Sequence, residues 1–171
     1  MKTKNGMRIS LRTKLIILIS LLIIIILGMN AGVLITQKLS QGQADLKASA
    51  TSYTSLSHKV IGDAQALYGT SGFINLKNVI EKQLILHPDV TNIQIINYNG
   101  DLLFDSIDNA PRTKFDKVSS DIMHAVQGRF SQEQNIITHP DFLEIIYPYY
   151  DDFENHAISV RYTFSFDRIV I

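Results

Sequence analysis

A stretch of 22 residues without a charged side chain, residues 15–36, constrains this chain more than any other feature of its sequence. At about 1.5 Å per residue, a helix of that length spans about 33 Å, close to the hydrocarbon thickness of a bilayer. In that environment a helix is the plausible conformation, because it satisfies its own backbone hydrogen bonds without water. The sequence therefore predicts a membrane-spanning helix over residues 15–36.

The alternative for this stretch is a secretory signal that is cleaved after export. Such a signal has an apolar core of about 7–15 residues and ends near a small-x-small site. Here the apolar core is longer, and the nearest clear site, Ala48-Ser49-Ala50, lies twelve residues beyond its end. We therefore expect an uncleaved anchor.

Charge is distributed unevenly on the two sides of the anchor. Residues 1–14 carry five basic side chains and no acid, whereas residues 15–171 carry eleven bases and all sixteen acids, the first of them Asp45. By the positive-inside rule, residues 1–14 form a cytoplasmic tail and residues 37–171 face the outside of the cell's inner (plasma) membrane. The acidic exterior part argues against nucleic-acid binding. The absence of cysteine excludes a disulfide scaffold and a thiolate metal site.

Small and apolar residues follow a regular spacing through the anchor and beyond it. Gly28 and Gly32 form a Gly-x-x-x-Gly pair, which allows close approach of a second helix in a membrane. A series at intervals of seven then follows, made up of Leu39, Leu46, Tyr53, Val60 and Leu67. This seam packs either on the chain's own sheet or on a second copy. We expect both, with the first half pairing in a homodimeric stalk and the second half lying on the domain.

The segment after the stalk predicts an α+β fold. Helical spacing is found over residues 75–86 and 115–127, and strand patterns over residues 92–97, 102–105, 130–138, 142–150 and 157–166. Asn99-Gly100 predicts a two-residue hairpin turn. The expected architecture is a transmembrane helix continuing into a long stalk helix, followed by a five-stranded antiparallel sheet with flanking helices.

Motifs for catalysis and for resident cofactors are not found. The chain contains no Gly-x-x-x-x-Gly-Lys phosphate loop, no His-Glu-x-x-His helix and no Gly-x-Ser-x-Gly elbow. His-Pro-Asp occurs twice, at residues 87–89 and 139–141, which favours a repeated turn over a paired metal site. We expect no enzymatic activity, no metal and no cofactor in this chain.

The order of elements, together with several local patterns, resembles the Cache domains. These are PAS-like extracytoplasmic sensors of bacterial chemoreceptors, sensor histidine kinases and diguanylate cyclases. The resemblance covers roughly residues 37–171. It rests on the strand–turn–strand of residues 93–103, Asp105-Ser106, Ala125-Val126-Gln127-Gly128, Tyr147-Pro148, residues 158–162 and Phe166-Asp167-Arg168-Ile169.

The resemblance implies a small ligand between the sheet and the segment over it, residues 106–128. Arg161 lies mid-strand with Ser159 on the same face, and Tyr147 and Tyr149 share a face of another strand. An arginine there would hold a carboxylate, with tyrosine hydroxyls fixing its orientation. Relatives that bind dicarboxylates tend to show Arg-x-x-His, and this chain has none, which argues against such a ligand.

The resemblance also implies a second membrane helix and a cytoplasmic output module after the sensor. We therefore expect a sensory fragment of a longer receptor, with any kinase or cyclase module beyond residue 171, rather than an orphan sensor. A type IV pilin-like or other anchored interaction subunit is the alternative. It fits less well, because pilin-like subunits place a glutamate near the start of the apolar segment, and residues 15–36 contain no acid.

Overall fold

The computed structural model describes residues 10–69, 72–108, 116–127 and 134–167. The chain divides into two compact units, one up to Gly42 and one from Gln43 onward. A single helix, α1 (Leu11–Tyr68), begins in the first unit and ends in the second.

Among the described residues, the first unit contains Ser10 and the part of α1 up to Gly42. The hydroxyl of Ser10 accepts a hydrogen bond from the backbone N–H of Thr13 at 3.3 Å, which caps the helix start. The large apolar side chains of residues 15–35 are exposed. On length and composition, α1 is the one helix among the described residues that is suited to cross a membrane.

The second unit contains a five-stranded antiparallel sheet, which confirms the predicted α+β architecture. The strands lie side by side in the order β2-β1-β5-β4-β3. Two strands have the predicted bounds, β1 begins two residues early, and β5 is shifted by one residue. Of the strand predicted over residues 130–138, residues 135–138 form β3, residue 134 does not belong to it, and residues 130–133 lie outside the described residues. The strands are β1 (Val90–Asn97), β2 (Leu102–Asp105), β3 (Asn135–Thr138), β4 (Phe142–Tyr150) and β5 (His156–Ser165).

Helices cover both faces of this sheet. The second half of α1 and α2 (Phe73–Leu86) pack on one face, which we call the α1 face. The short helix α3 (Ser120–Val126) packs on the other, the α3 face. α3 begins later than predicted because the residues before it pair with the β1–β2 hairpin. The N–H of Leu102 donates to the carbonyl of Asp116 at 2.9 Å, and the N–H of Val118 donates to that of Gly100 at 3.0 Å.

The hairpin turn differs from the prediction by one residue. The N–H of Asn97 donates to the carbonyl of Asp101 at 3.0 Å, so three residues rather than two lie between the paired positions. Gly100 has a φ of +79°, a conformation that glycine adopts without strain. Its close contacts with Met123 and Val118 also leave no room for a side chain.

The alternation predicted for β5 is confirmed, and it directs the core toward α1. Val160, Tyr162 and Phe164 are fully buried on the α1 face. The hydroxyl of Ser57 on α1 donates to that of Tyr162 at 2.9 Å, so two buried polar groups satisfy each other.

The seam of α1 is divided in a way that the spacing did not reveal. Leu46 and Tyr53 pack partly buried against the chain's own core, and the hydroxyl of Tyr53 donates to the carbonyl of Gln83 at 3.0 Å. Two later members of the same series point outward, with Val60 48% and Leu67 75% exposed. The seam therefore packs on the chain's own domain at Leu46 and Tyr53, which were expected to pair with a second copy, and not at Val60 and Leu67, where packing on the domain was expected. Pairing with a second copy stays a prediction.

Candidate functional site

The sheet separates the residues that were expected to share a ligand pocket. Tyr147 is directly opposite Val160, and Arg161 is opposite Ile146. Because opposed residues share a face, both tyrosines lie on the α1 face and Arg161 lies on the α3 face. Tyr147 and Tyr149 do share a face, as predicted, but they cannot orient a ligand held by Arg161. Whether either group binds a ligand stays a prediction.

Arg161 belongs to a row of polar side chains that crosses the α3 face, and we call this set the polar row. The guanidinium donates to the amide oxygen of Gln94 at 2.8 Å, and the amide nitrogen of Gln94 donates to Asp105 at 2.7 Å. On its other side Arg161 forms an ion pair with Glu144, whose second oxygen lies 3.6 Å from Nε2 of His139. The polar row thus contains side chains from β2, β1, β5 and β4, and ends at a residue just after β3.

The centre of the polar row is withdrawn from water. Glu144 is 3% exposed, and a carboxylate at such a site needs a partner of opposite charge. Arg161 supplies that charge, and among the described residues its Nε is buried without a hydrogen-bond partner. Ile146 and Ile96 lie on the same face and pack with α3. The arrangement therefore offers one unused N–H donor beside a buried carboxylate and an apolar surface.

Ser159 has a different environment from the one expected. It is 1% exposed, and its hydroxyl lies 2.9 Å from Nε2 of His156. Burial lowers the pKa of His156, so this imidazole is neutral near neutral pH and shares a hydrogen bond with the hydroxyl. Ser159 consequently has no accessible oxygen for a ligand.

A polar concavity lies on the α1 face, and we call it the α1 cleft. It has a volume of about 360 Å³ and is lined by His58, Lys59, Asp63, Asp152 and residues 147–150. The ring of His58 stacks on Tyr147 with centroids 3.8 Å apart, and the hydroxyl of Tyr149 donates to Asp63 at 2.7 Å. The cleft therefore contains the two tyrosines that the sequence singled out, but with partners from α1.

Two titrating groups in the α1 cleft are shifted. The hydrogen bond to Asp63, together with burial and nearby carboxylates, raises the pKa of Tyr149 to about 12. Burial lowers the pKa of His58 from its ordinary 6.5, against the opposing effect of the Thr54 carbonyl to which its ring is bonded. Near neutral pH both side chains are consequently neutral.

Sequence reasoning missed three of the residues that build these sites. Gln94 and Glu144 are polar residues in the middle of strands, each between two buried apolar neighbours, and that signal was present. Asp63 carried no comparable signal, because its role depends on how α1 packs over β4.

Metal ligation finds no support in the described parts of the chain, where no group of three histidine, aspartate or glutamate side chains is placed to hold an ion. Both His-Pro-Asp segments form turns, as predicted. The N–H of Val90 donates to the carbonyl of His87 at 3.0 Å, and the N–H of His139 donates to that of Phe142 at 2.9 Å.

Comparison with known proteins leaves the chain without an assigned family. No family model matches it, and no curated protein matches it significantly.

Proposed function

We propose that this chain is the membrane-anchored, ligand-sensing region of a bacterial signal-transduction receptor, with a Cache-like exterior domain. The observation that carries the proposal is the polar row. A buried ion pair with one guanidinium N–H that no described group accepts, next to an apolar surface, leaves a buried donor that a small ligand would satisfy. The five-stranded sheet with a long helix on one face also supports it, because the resemblance implies that arrangement.

The polar row favours a particular kind of ligand. The Nε of Arg161 suits a carboxylate or a carbonyl oxygen, while the adjacent Glu144 repels a second negative charge. The proposed ligand is a small molecule that carries one such acceptor together with a hydrogen-bond donor directed at Glu144. A ligand with one such acceptor agrees with the absence of an Arg-x-x-His segment, which relatives that bind dicarboxylates tend to show.

The anchor and the stalk complete the proposal. Residues 15–36 would cross the inner membrane with residues 1–14 in the cytoplasm, and two copies would pair along α1. Gly28, Gly32 and Leu39 remain in the proposed dimer seam, and the outward-facing Val60 and Leu67 replace Leu46 and Tyr53. Ligand binding would favour one dimer arrangement, which requires a difference in affinity between the two arrangements.

A ligand screen on the full chain in detergent micelles tests the sensory role. Amino acids, monocarboxylates, purines and divalent ions would be added while thermal unfolding is followed by circular dichroism. A ligand present at about one hundred times its dissociation constant stabilises the folded state by about 2.7 kcal/mol. A true ligand of the polar row loses this effect in the double variant Arg161→Met/Glu144→Leu, which removes both charges together, and keeps it in Tyr147→Phe on the opposite face.

Two results would contradict the proposal. One is a well-folded chain that no compound stabilises, and the other is a compound that stabilises the double variant as much as the wild type.

Cysteine crosslinking tests the dimer separately, with strong crosslinks expected at Leu39 and Leu67 and weak ones at Asp63. Mass spectrometry of the mature N-terminus tests the anchor, because a processed segment would lack residues 1–14.

A further inference from the structure

The α1 cleft is separate from the polar row, because the sheet lies between them. Its walls come from β4, from the turn after β4 and from α1, which contributes His58, Lys59 and Asp63. Nothing in the proposed sensory site uses these residues. A molecule in the α1 cleft would contact α1 directly, whereas one at the polar row would contact the sheet.

Charge in the α1 cleft favours a cation. Asp63 and Asp152 carry two negative charges, Lys59 carries one positive charge, and His58 is neutral near neutral pH. The nearby Asp151 adds a third carboxylate, although its oxygens accept the N–H groups of Phe153 and Asn155 at 2.9 Å. All three carboxylates act on Tyr149 and help to raise the pKa of its phenol, so the potential there is negative.

Aromatic side chains line the α1 cleft together with its charged groups. Tyr147, Tyr149 and Tyr150 contribute rings to the lining, and one face of the Tyr147 ring is stacked on His58. Tyrosine rings attract ammonium groups through their negative faces, and they also pack against methylene chains. A bare metal ion would gain little from such walls, whereas an amine with a hydrocarbon chain would use both features.

We propose that the α1 cleft binds an organic amine in its protonated form, with the ammonium group directed at Asp152 and Asp63 and its methylene groups against the tyrosines. The volume of about 360 Å³ accommodates a chain of a few carbon atoms. The ammonium of Lys59 competes for the same carboxylates, so it weakens the site and sets its affinity. An amine bound there would be a second input to α1, independent of the polar row.

Isothermal titration of the full chain in detergent micelles tests the site, with butane-1,4-diamine as the probe and butyrate as its anionic counterpart. A single charge–charge contact near the surface is worth about 1 kcal/mol, so Asp152→Asn should raise the dissociation constant of the diamine about fivefold. Lys59→Met removes the competing ammonium and should lower that constant by a similar factor. Asp121→Asn on α3 makes the same charge change away from the cleft and should leave the constant unchanged.

The opposite response of the two charge variants distinguishes the proposal from non-specific attraction. Equal weakening by Asp152→Asn and Asp121→Asn, weaker binding in Lys59→Met, or butyrate binding as tightly as the diamine would overturn it. So would the lack of saturable diamine binding up to about 10 mM in a chain whose circular dichroism is native. The Arg161→Met/Glu144→Leu variant should bind the diamine normally, so failure of the sensory proposal would be distinguishable from failure of this one.

Discussion

Gly62 lies where α1 crosses β4, and its replacement by alanine provides a stringent test of the packing on the α1 face. A Cβ atom at this position would lie 2.1 Å from Cδ2 of Tyr149 and 2.4 Å from Cγ of the same ring. Carbon atoms pack at about 3.5–4.0 Å, so the ring would have to move by more than about 1 Å. In an exposed helix the same substitution stabilises by about 1 kcal/mol, because alanine is the better helix former. Here the two effects oppose each other.

The steric cost of the alanine Cβ should exceed the gain in helix propensity. Overpacking in a well-packed site costs about 1–3 kcal/mol. Movement of the ring also breaks the 2.7 Å hydrogen bond from Tyr149 to Asp63, which is worth about 1 kcal/mol at an exposed position. After subtraction of the helical gain, Gly62→Ala should lower the free energy of unfolding by about 1–3 kcal/mol. At about 3 °C per kcal/mol for a chain of this size, Tm falls by about 3–9 °C.

A double-mutant cycle provides the control. Thermal unfolding is followed by circular dichroism for wild type, Gly62→Ala, Tyr149→Ala and the double variant, all as the full chain in the same detergent. With the ring removed, the alanine should be neutral or should stabilise by about 1 kcal/mol, which gives a clear coupling between the two sites. A rise in Tm for Gly62→Ala with Tyr149 present would refute the reasoning, because it would mean that α1 does not approach β4 this closely.

Three further predictions concern buried polar groups and pH. Glu144→Gln leaves the guanidinium of Arg161 without its counter-charge and should cost about 3 kcal/mol in thermal unfolding, whereas Arg161→Met/Glu144→Leu should cost much less. Ser57→Ala leaves the buried hydroxyl of Tyr162 unpaired and should lower the free energy of unfolding by about 1–3 kcal/mol. Adding Tyr162→Phe should recover part of that loss. If the effects of the two substitutions were fully additive, they would argue against the hydrogen bond. Because burial lowers the pKa of His58, the unfolded chain binds a proton below pH 6.5 before the folded chain does, so the stability of the fold should decrease as the pH drops below that value. His58→Gln should therefore reduce the fall in Tm between about pH 7 and about pH 5.5. An unchanged pH dependence of Tm in the variant would contradict this.

The fold could be predicted largely from periodicity, because burial on one face of a strand imposes an alternation that the sequence records. β5 is the clearest case, where Tyr162 and Phe164 were assigned correctly to the core face. The start of α3 could not be predicted, since residues 116–118 form hydrogen bonds with the hairpin instead of continuing a helix. Helical spacing of apolar residues does not record such long-range pairing.

The candidate site was less accessible to sequence reasoning than the fold. Whether Arg161 and Tyr147 share a face depends on the register between β4 and β5, because a shift of one residue reverses which face a side chain occupies. In the structure this register places them on opposite faces. Likewise, the spacing of seven along α1 identified an apolar seam but not which of its members the sheet would cover. Register and helix placement are properties of the assembled domain, and short sequence patterns carry little information about them.

The order of the strands has a mechanical consequence. The first and last strands, β1 and β5, are neighbours in the middle of the sheet, and the N–H of Ser165 donates to the carbonyl of Asp89 at 3.1 Å where one strand begins and the other ends. A force that pulls the start of β1 away from the end of β5 breaks the hydrogen bonds between the two strands one at a time, beginning with the bond between Ser165 and Asp89, rather than all together. Gln94 and Arg161 are directly opposed a few rungs further along. Tension applied at the start of β1 and the end of β5 would therefore separate the two strands progressively toward the polar row. A bound molecule that bridges the two strands would resist this separation.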